Sequence, residues 1–178
     1  MRKKISGVML FTILLSPITV KAVDNLRDNL SFKGNLIIPN CTINYGSQIE
    51  TDWGDVEIQT LKRPHTPTHE KELNIPVTCP YSLGTPKMKI SGAAHIVAGQ
   101  SGLKTSKYDE GLLIYMRTKA AGSWVSYNAE KNIPADSISG SGSNKILTMY
   151  VSLGFYKTME ELKPGPFTAG ATLEIRYE

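Results

Sequence analysis

NLSFKGNLII, residues 29–38, alternates apolar and polar side chains and predicts an extended strand near the start of the chain. The apolar face carries Leu30, Phe32, Gly34, Leu36 and Ile38, and the alternation extends back to Leu26. The glycine leaves a gap in this row, which indicates a shallow spot in the surface that receives it. Such a segment either packs onto its own domain, as an ordinary first strand of a sandwich, or enters a groove on another molecule, and these residues alone leave both open.

The first 22 residues have the pattern of a secretory signal peptide. Three basic residues at positions 2–4 precede an apolar run at 8–15, and small or moderate side chains at Val20 and Ala22 predict cleavage after Ala22. We expect an exported mature chain of 178 − 22 = 156 residues, which suits one domain. No later apolar run is long enough to predict a transmembrane helix.

The positive charge of the sequence belongs to this leader. The whole chain has 20 Lys and Arg against 16 Asp and Glu, and four of the basic residues lie in the first 22 positions. The mature chain therefore has 20 − 4 = 16 basic against 16 acidic residues. A formally neutral chain gives no support for nucleic-acid binding.

Two cysteines in an exported chain suggest one disulfide, between Cys41 and Cys79. The rival is a metal site, but the two thiols and three histidines lack the spacing of known metal-binding motifs. We expect no metal and no cofactor.

The rest of the chain alternates short apolar-patterned segments with turn residues. We expect strands at 55–61, 72–79, 87–91, 93–97, 111–118, 124–127 and 146–156, with a bulge at Gly154 and a bulge or sheet edge at Pro76. About seven to nine short strands without a sustained helical period predict an all-β sandwich of immunoglobulin type.

The last twelve residues, FTAGATLEIRYE at 167–178, alternate strictly, with apolar side chains at every odd position. A strand at this place leaves a sheet edge uncovered unless another strand follows. A spare apolar strand at one end and an uncovered strand at the other fit together if one subunit completes the next, head to tail.

At this point the chain resembles the pilins of the chaperone–usher pathway, most closely the minor pilins of the P-pilus tip fibrillum. The resemblance lies in NLSFKGNLIIPNCTI at 29–43, DWGDVEIQTL at 52–61, VTCPYSLGT at 77–85 and GPFTAGATLEIRYE at 165–178. In that family a glycine fourteen residues from the end and a penultimate aromatic mark the terminal strand. Gly165 and Tyr177 occupy those places.

The resemblance implies an incomplete immunoglobulin-like sandwich that lacks its C-terminal strand. It implies a signal peptide at 1–22, a donor-strand extension at 23–36 and a pilin domain at 37–178. The donor residues would be Leu26, Leu30, Phe32, Gly34 and Leu36. Binding of chaperone and usher, and the edge that accepts a donor, would fall on Gly165, Phe167, Ala169, Ala171, Leu173, Ile175, Tyr177 and Glu178.

The implied partners are a periplasmic pilus chaperone, the outer-membrane usher, neighbouring pilin subunits and adaptor subunits. The chaperone would lend a strand during transit and hold the terminal carboxylate of Glu178 in a basic pocket. Donor-strand exchange would then place the subunit in an extracellular pilus that supports adhesion. Neither nucleic acid nor a small-molecule substrate is expected.

No motif indicates an enzyme. The sequence has no nucleophile elbow, no HExxH and no paired-carboxylate motif, and the three histidines are expected to be non-catalytic. The alternative function is a secreted β-sandwich adhesin or carbohydrate-binding module, in which Trp53 and Trp124 could form a sugar platform, although tryptophans in a sandwich are more often packed among other side chains.

Overall fold

The computed structural model describes residues 31–62, 64–119 and 124–178. Contacts divide the chain into two units, Met1–Asn35 and Leu36–Glu178. In the first unit, the described residues 31–35 are exposed and form no regular structure. The predicted signal peptide, Leu26 and Leu30 lie outside the described residues.

The described part of the second unit contains ten β-strands joined by loops and short 3-10 turns. The strands are β1 (Thr42–Ile43), β2 (Thr68–Thr78), β3 (Pro86–Gly92), β4 (Ala94–Val97), β5 (Gln100–Lys104), β6 (Leu112–Thr118), β7 (Glu130–Asn132), β8 (Ile138–Ser139), β9 (Asn144–Phe155) and β10 (Ala171–Tyr177). The 3-10 turns are Asn44–Gly46, Ile58–Thr60, Tyr108–Glu110 and Met159–Glu161. Within the described ranges, no helix has the length and apolarity needed to cross a membrane.

The strands form two antiparallel sheets. The larger has the order β1-β2-β9-β6-β5-β4, with β8 also paired to β9, and the smaller has the order β10-β3-β7. Their alternating apolar side chains share one core, which includes Ile75 of β2, Ile90 of β3, Leu147 of β9 and Ile175 of β10. The predicted all-β sandwich is confirmed.

A disulfide between Cys41 and Cys79 ties the residue before β1 to the residue after β2. Both cysteines are buried. The predicted pairing is confirmed, in preference to a thiol metal site.

Two predicted strands are not formed: residues 55–61, and residues 124–127, where Trp124 makes only an isolated bridge with Arg117. Residues 55–61 form no strand, because the chain bends into the turn Ile58–Thr60, where the Thr60 hydroxyl donates to Glu57 O at 2.6 Å. Strand β5 was not predicted because it lacks an apolar alternation of its own. It is held by pairing with its neighbours, and a side chain at Gly102 would meet Leu113 at 3.0 Å.

The two special residues predicted inside strands have different explanations. Gly154 is not a bulge: it pairs with Leu113 in regular register, and a Cβ there would lie 2.8 Å from the Tyr115 ring. Pro76 pairs with Ile146 without a register shift. Strand β1 pairs with β2 only at 77–78, so Pro76 lies beside an unpaired stretch of that edge, as a residue without an N–H requires.

Candidate functional site

The last strand, β10, pairs with one other strand, β3, among the strands that the structure describes. It pairs with β3 through seven residue pairs and stands at the edge of the smaller sheet. On the other side, Cys41 N–H donates to Ile175 O at 2.8 Å, which shows that the backbone of Ile175 points away from β3. Since alternate residues of a strand point to opposite edges, the backbone groups of Leu173 and Ala171 also point to the open side.

In the described part of the chain, the segment 49–58 forms no strand ladder with β10, and Trp53 reaches Phe167 in the segment that leads into that strand. Its half-buried apolar side chains, Ile49, Trp53, Val56 and Ile58, pack against the core, as do Phe167 and Leu173 from the other side. We call the space between residues 43–58 and 167–175 the open seam. The segments on its two sides, which we call its walls, both carry half-buried apolar side chains, and β10 lies at the edge of its sheet.

Contacts join the two walls at the ends of the open seam. At one end Cys41 N–H donates to Ile175 O, beside the disulfide. At the other end the rings of Trp53 and Phe167 lie 6.1 Å apart. Between these ends, no backbone hydrogen bond joins the walls within the described ranges. Between these two contacts, the backbone groups of Ala171 and Leu173 that point away from β3 pair with no described strand.

Two side-chain hydrogen bonds connect residues 49–58, on one side of the open seam, to β2 of the larger sheet. Trp53 Nε1–H donates to His69 O at 2.8 Å, and the Lys71 ammonium donates to Asp52 O. His69 has a positive φ of 53° and lies where the register of β2 shifts between Thr68 and Lys71. The irregular start of β2 thus presents the carbonyl that positions Trp53.

The end of β10 is held by a separate set of bonds. Thr85 N–H donates to Glu178 O at 2.6 Å, and Glu178 N–H donates to Thr85 O at 3.1 Å. The Lys87 ammonium donates to the Glu178 side chain, and Arg176 lies 2.7 Å from it. The bond from Lys87 lowers the pKa of the Glu178 carboxyl, with a smaller contribution from Arg176.

The predicted acceptor residues divide by exposure. Ile175 and Tyr177 are buried, and burial raises the pKa of the Tyr177 hydroxyl. Phe167 and Leu173 are half-buried, whereas Gly165, Ala169, Ala171 and Glu178 are exposed. The assigned strand starts only at Ala171, so Phe167 and Ala169 extend the open edge without a ladder of their own.

The predicted donor residues that the structure describes are exposed. Phe32 is 89% exposed and Leu36 is fully exposed. A Cβ added at Gly34 would meet no atom within 4 Å. Residues 31–38 form no strand in the structure.

The main feature that sequence reasoning missed is the opposite wall. Trp53 packs against the core, in agreement with the expectation that it is a packed residue, and its ring also pairs with Phe167. The alternating half-buried positions 49, 51 and 53 were a detectable signal. Trp124 instead packs edge-to-face against Tyr115, with the ring centres 6.1 Å apart, so each tryptophan is engaged in its own aromatic pair.

The histidines show no metal-binding arrangement. His69 contacts the Thr60 and Thr68 hydroxyls at 2.9 Å, and His95 lies 3.1 Å from the Tyr108 hydroxyl. Among the residues placed by the structure, no group of three or more His, Cys, Asp or Glu could hold a metal ion.

Comparison with known sequences gives a family match over most of the chain. The family model described as fimbrial protein matches residues 30–178. Fimbrial protein PrsE of Escherichia coli is 34% identical over 179 residues, covering 98% of this chain and 99% of PrsE. The fimbrial adapter PapF of Escherichia coli is 29% identical over 84 residues, covering 47% of this chain and 46% of PapF.

Solved structures share the fold. The P pilus rod subunit PapA is 21% identical with a TM-score of 0.56, over 84% of this chain and 100% of that chain. The P pilus adaptor subunit PapF, described in a study of polymerization reactivity, is 20% identical with a TM-score of 0.53, over 81% of this chain and 100% of that chain.

Proposed function

The chain belongs to the fimbrial protein family and is a structural pilus subunit, and we propose that it polymerises head to tail by donor-strand exchange. Its extension enters the open seam of a neighbouring subunit, and its own open seam receives the extension of another. Each junction is heterologous, so the assembly grows as a fibre rather than closing. This role is structural and requires no catalytic residue.

The observation that carries the proposal is the free edge of β10. The backbone donors and acceptors of Leu173 and Ala171 point away from β3, toward the open seam. An added strand would satisfy those groups and cover Phe167, Leu173 and Trp53, which is the combination that β-augmentation uses.

The proposed donor residues are Leu26, Leu30, Phe32, Gly34 and Leu36. Burying an apolar side chain contributes roughly 1.5–3 kcal/mol, so the four larger ones contribute on the order of 10 kcal/mol before the entropy of association is subtracted. Gly34, which has no side chain, would let the donor backbone approach the edge of β10 closely at that position.

A partner must cover the open seam before a neighbouring subunit arrives, because an exposed strand edge invites unspecific pairing. We assign this role to a periplasmic chaperone that lends a strand along 167–177 and binds the chain end near Glu178. The outer-membrane usher would then catalyse exchange. This route requires the signal peptide at 1–22 and places the finished subunit outside the cell, next to other pilin or adaptor subunits.

Peptide complementation tests the proposal. A synthetic peptide of residues 25–38 should bind the purified protein and raise its melting temperature by tens of degrees, because it completes the sheet. A peptide with Gly34→Trp should lose most of this effect. The matched control is Asn35→Trp, on the polar face of the same peptide, which should still stabilise. If all three peptides act alike, or none binds, the proposed donor register is wrong.

A further inference from the structure

A compact turn lies beside the segment that leads into β10. Thr105, which is buried, donates its hydroxyl to Leu112 O at 3.0 Å and accepts from Lys107 N–H at 3.1 Å. Tyr108 N–H donates to Thr105 O at 3.0 Å, and the turn continues into Tyr108–Glu110. Because its backbone is held by its own residues, this turn is a fixed support.

An ion pair on this turn holds both backbone groups of Lys163. Lys107 Nζ lies 3.0 Å from each Glu110 carboxylate oxygen and donates to Lys163 O at 2.8 Å. Lys163 N–H donates to Glu110 Oε2 at 2.8 Å. The Lys107 and Glu110 side chains are 13% and 25% exposed, so they are more shielded than the other ion pairs that the structure describes.

The same turn binds the segment again five residues later. Ser106 N–H donates to Thr168 O at 2.8 Å, and Thr168 N–H donates to Ser106 Oγ at 3.1 Å. Gly165 lies between these anchors with φ of 132°, a conformation that a residue with a side chain rarely adopts. We call residues 105–110 with their bonds to 163–168 the clamp.

The clamp matters because the ladder with β3 begins only at Ala171. Residues 163–170 form no strand, yet they include Phe167, which closes one end of the open seam against Trp53. The position of that end therefore depends on bonds to the 105–110 turn.

We propose that Lys107 and Glu110 are positioning residues, which fix the Phe167 end of the open seam before a donor strand arrives. This inference rests on the proposed function. Neither residue belongs to the segments that bound the open seam. Their effect reaches it through Lys163 and the backbone that continues to Phe167. The bond from Lys163 N–H, with that from Lys107, lowers the pKa of Glu110, which keeps the carboxylate charged near neutral pH.

The variant Lys107→Met removes both the charge and the donor while keeping the length of the side chain. If the substitution reduces the fraction of molecules in which the Phe167 end is correctly placed to about a tenth, the affinity for a donor falls about ten-fold. Lys107→Arg retains charge and donors and should restore binding. Lys145→Met is the matched control, since Lys145 Nζ also donates to a carbonyl, Gly140 O at 3.2 Å, away from the open seam.

Three peptides separate positioning from a general loss of stability. They comprise residues 25–38, 29–38 and 25–34, so that each shortened peptide leaves one end of the open seam empty. We expect Lys107→Met to weaken binding of the full peptide and of one shortened peptide. The peptide that does not reach Phe167 should bind the variant and the original protein alike.

Hydrogen exchange without peptide gives an independent readout. Lys107→Met should accelerate exchange of the backbone amides at 167–169 while leaving β9 unchanged. Three results with Lys107→Met would each overturn the inference. They are an equal loss of affinity for both shortened peptides, full affinity for the complete peptide, and unchanged hydrogen exchange at 167–169. Should Lys107→Met not fold, Glu110→Gln tests the same bonds. If the unmodified protein binds no peptide, the proposed function fails, whereas normal peptide binding that is insensitive to Lys107 refutes the clamp alone.

Discussion

Gly84→Ala should destabilise the protein through the end of β10. Gly84 has φ of 97°, and a Cβ there would lie 2.4 Å from Glu178 O and 2.5 Å from Glu178 C. Both contacts are with backbone, so the segment around Gly84 and the end of β10 must move apart. The separation breaks the paired bonds between Thr85 and Glu178, of 2.6 and 3.1 Å.

The magnitude follows from two contributions. A side chain at positive φ costs about 1–2 kcal/mol, and each lost hydrogen bond contributes about 0.5–1.5 kcal/mol. The total is about 2–5 kcal/mol, a large part of the stability of a domain of this size. Urea unfolding followed by tryptophan fluorescence measures it.

Gly99→Ala is the matched control. Gly99 also has a positive φ, of 78°, but a Cβ there would meet nothing within 4 Å. It should lose only the backbone contribution, about 1–2 kcal/mol. Equal losses for Gly84→Ala and Gly99→Ala would show that the contact with Glu178 does not stabilise the strand end, and would refute the reasoning.

Three further predictions concern the disulfide and two titrating groups. Replacing Cys41 and Cys79 by serine should reduce the free energy of unfolding by about 4 kcal/mol, measured by urea unfolding, because the bond spans a sequence separation of 38. Lys87→Met should raise the pKa of Glu178, which NMR titration of the carboxyl detects. The pKa of Glu178 in the folded protein is lowered from 4.5, so its contribution to stability is present above that value and is lost as pH falls through the folded pKa. In Lys87→Met, the free energy of unfolding should therefore depend less on pH in that acid range. Burial raises the pKa of Tyr156 from 10.0 to about 12, so stability should fall as pH rises through this window, and Tyr156→Phe should flatten the fall in unfolding experiments.

The sequence predicted the sandwich because strands with one buried face show period-2 alternation. Strands β3, β6 and β9 were placed within two residues at each end. The pattern failed for β5, whose residues are held by cross-strand partners, and for residues 55–61, where apolar alternation accompanies a turn. Alternation reports which side chains are buried, but it does not report whether a neighbouring strand is present.

The same limit applies to the site. The alternation of residues 167–178 predicted an apolar strand, and its place in the sequence predicted an open edge. Nothing local to those residues indicates that Trp53 forms the facing wall or that Lys107 and Glu110 bind Lys163. These contacts bring together residues that are far apart in sequence, and a salt bridge between Lys107 and Glu110 alone would have been expected only as a surface pair.

The exposed part of the open edge consists mainly of backbone and small side chains. Ala169 and Ala171 are exposed, whereas the larger Ile175 and Tyr177 are buried. Main-chain hydrogen bonds should therefore contribute much of the affinity for an added strand while discriminating little between sequences. Selectivity among donors must then come from the few half-buried large side chains, Phe167, Leu173 and Trp53, and from their spacing. This is why the position of the Phe167 end, set by residues outside the open seam, matters for which strand can fill it.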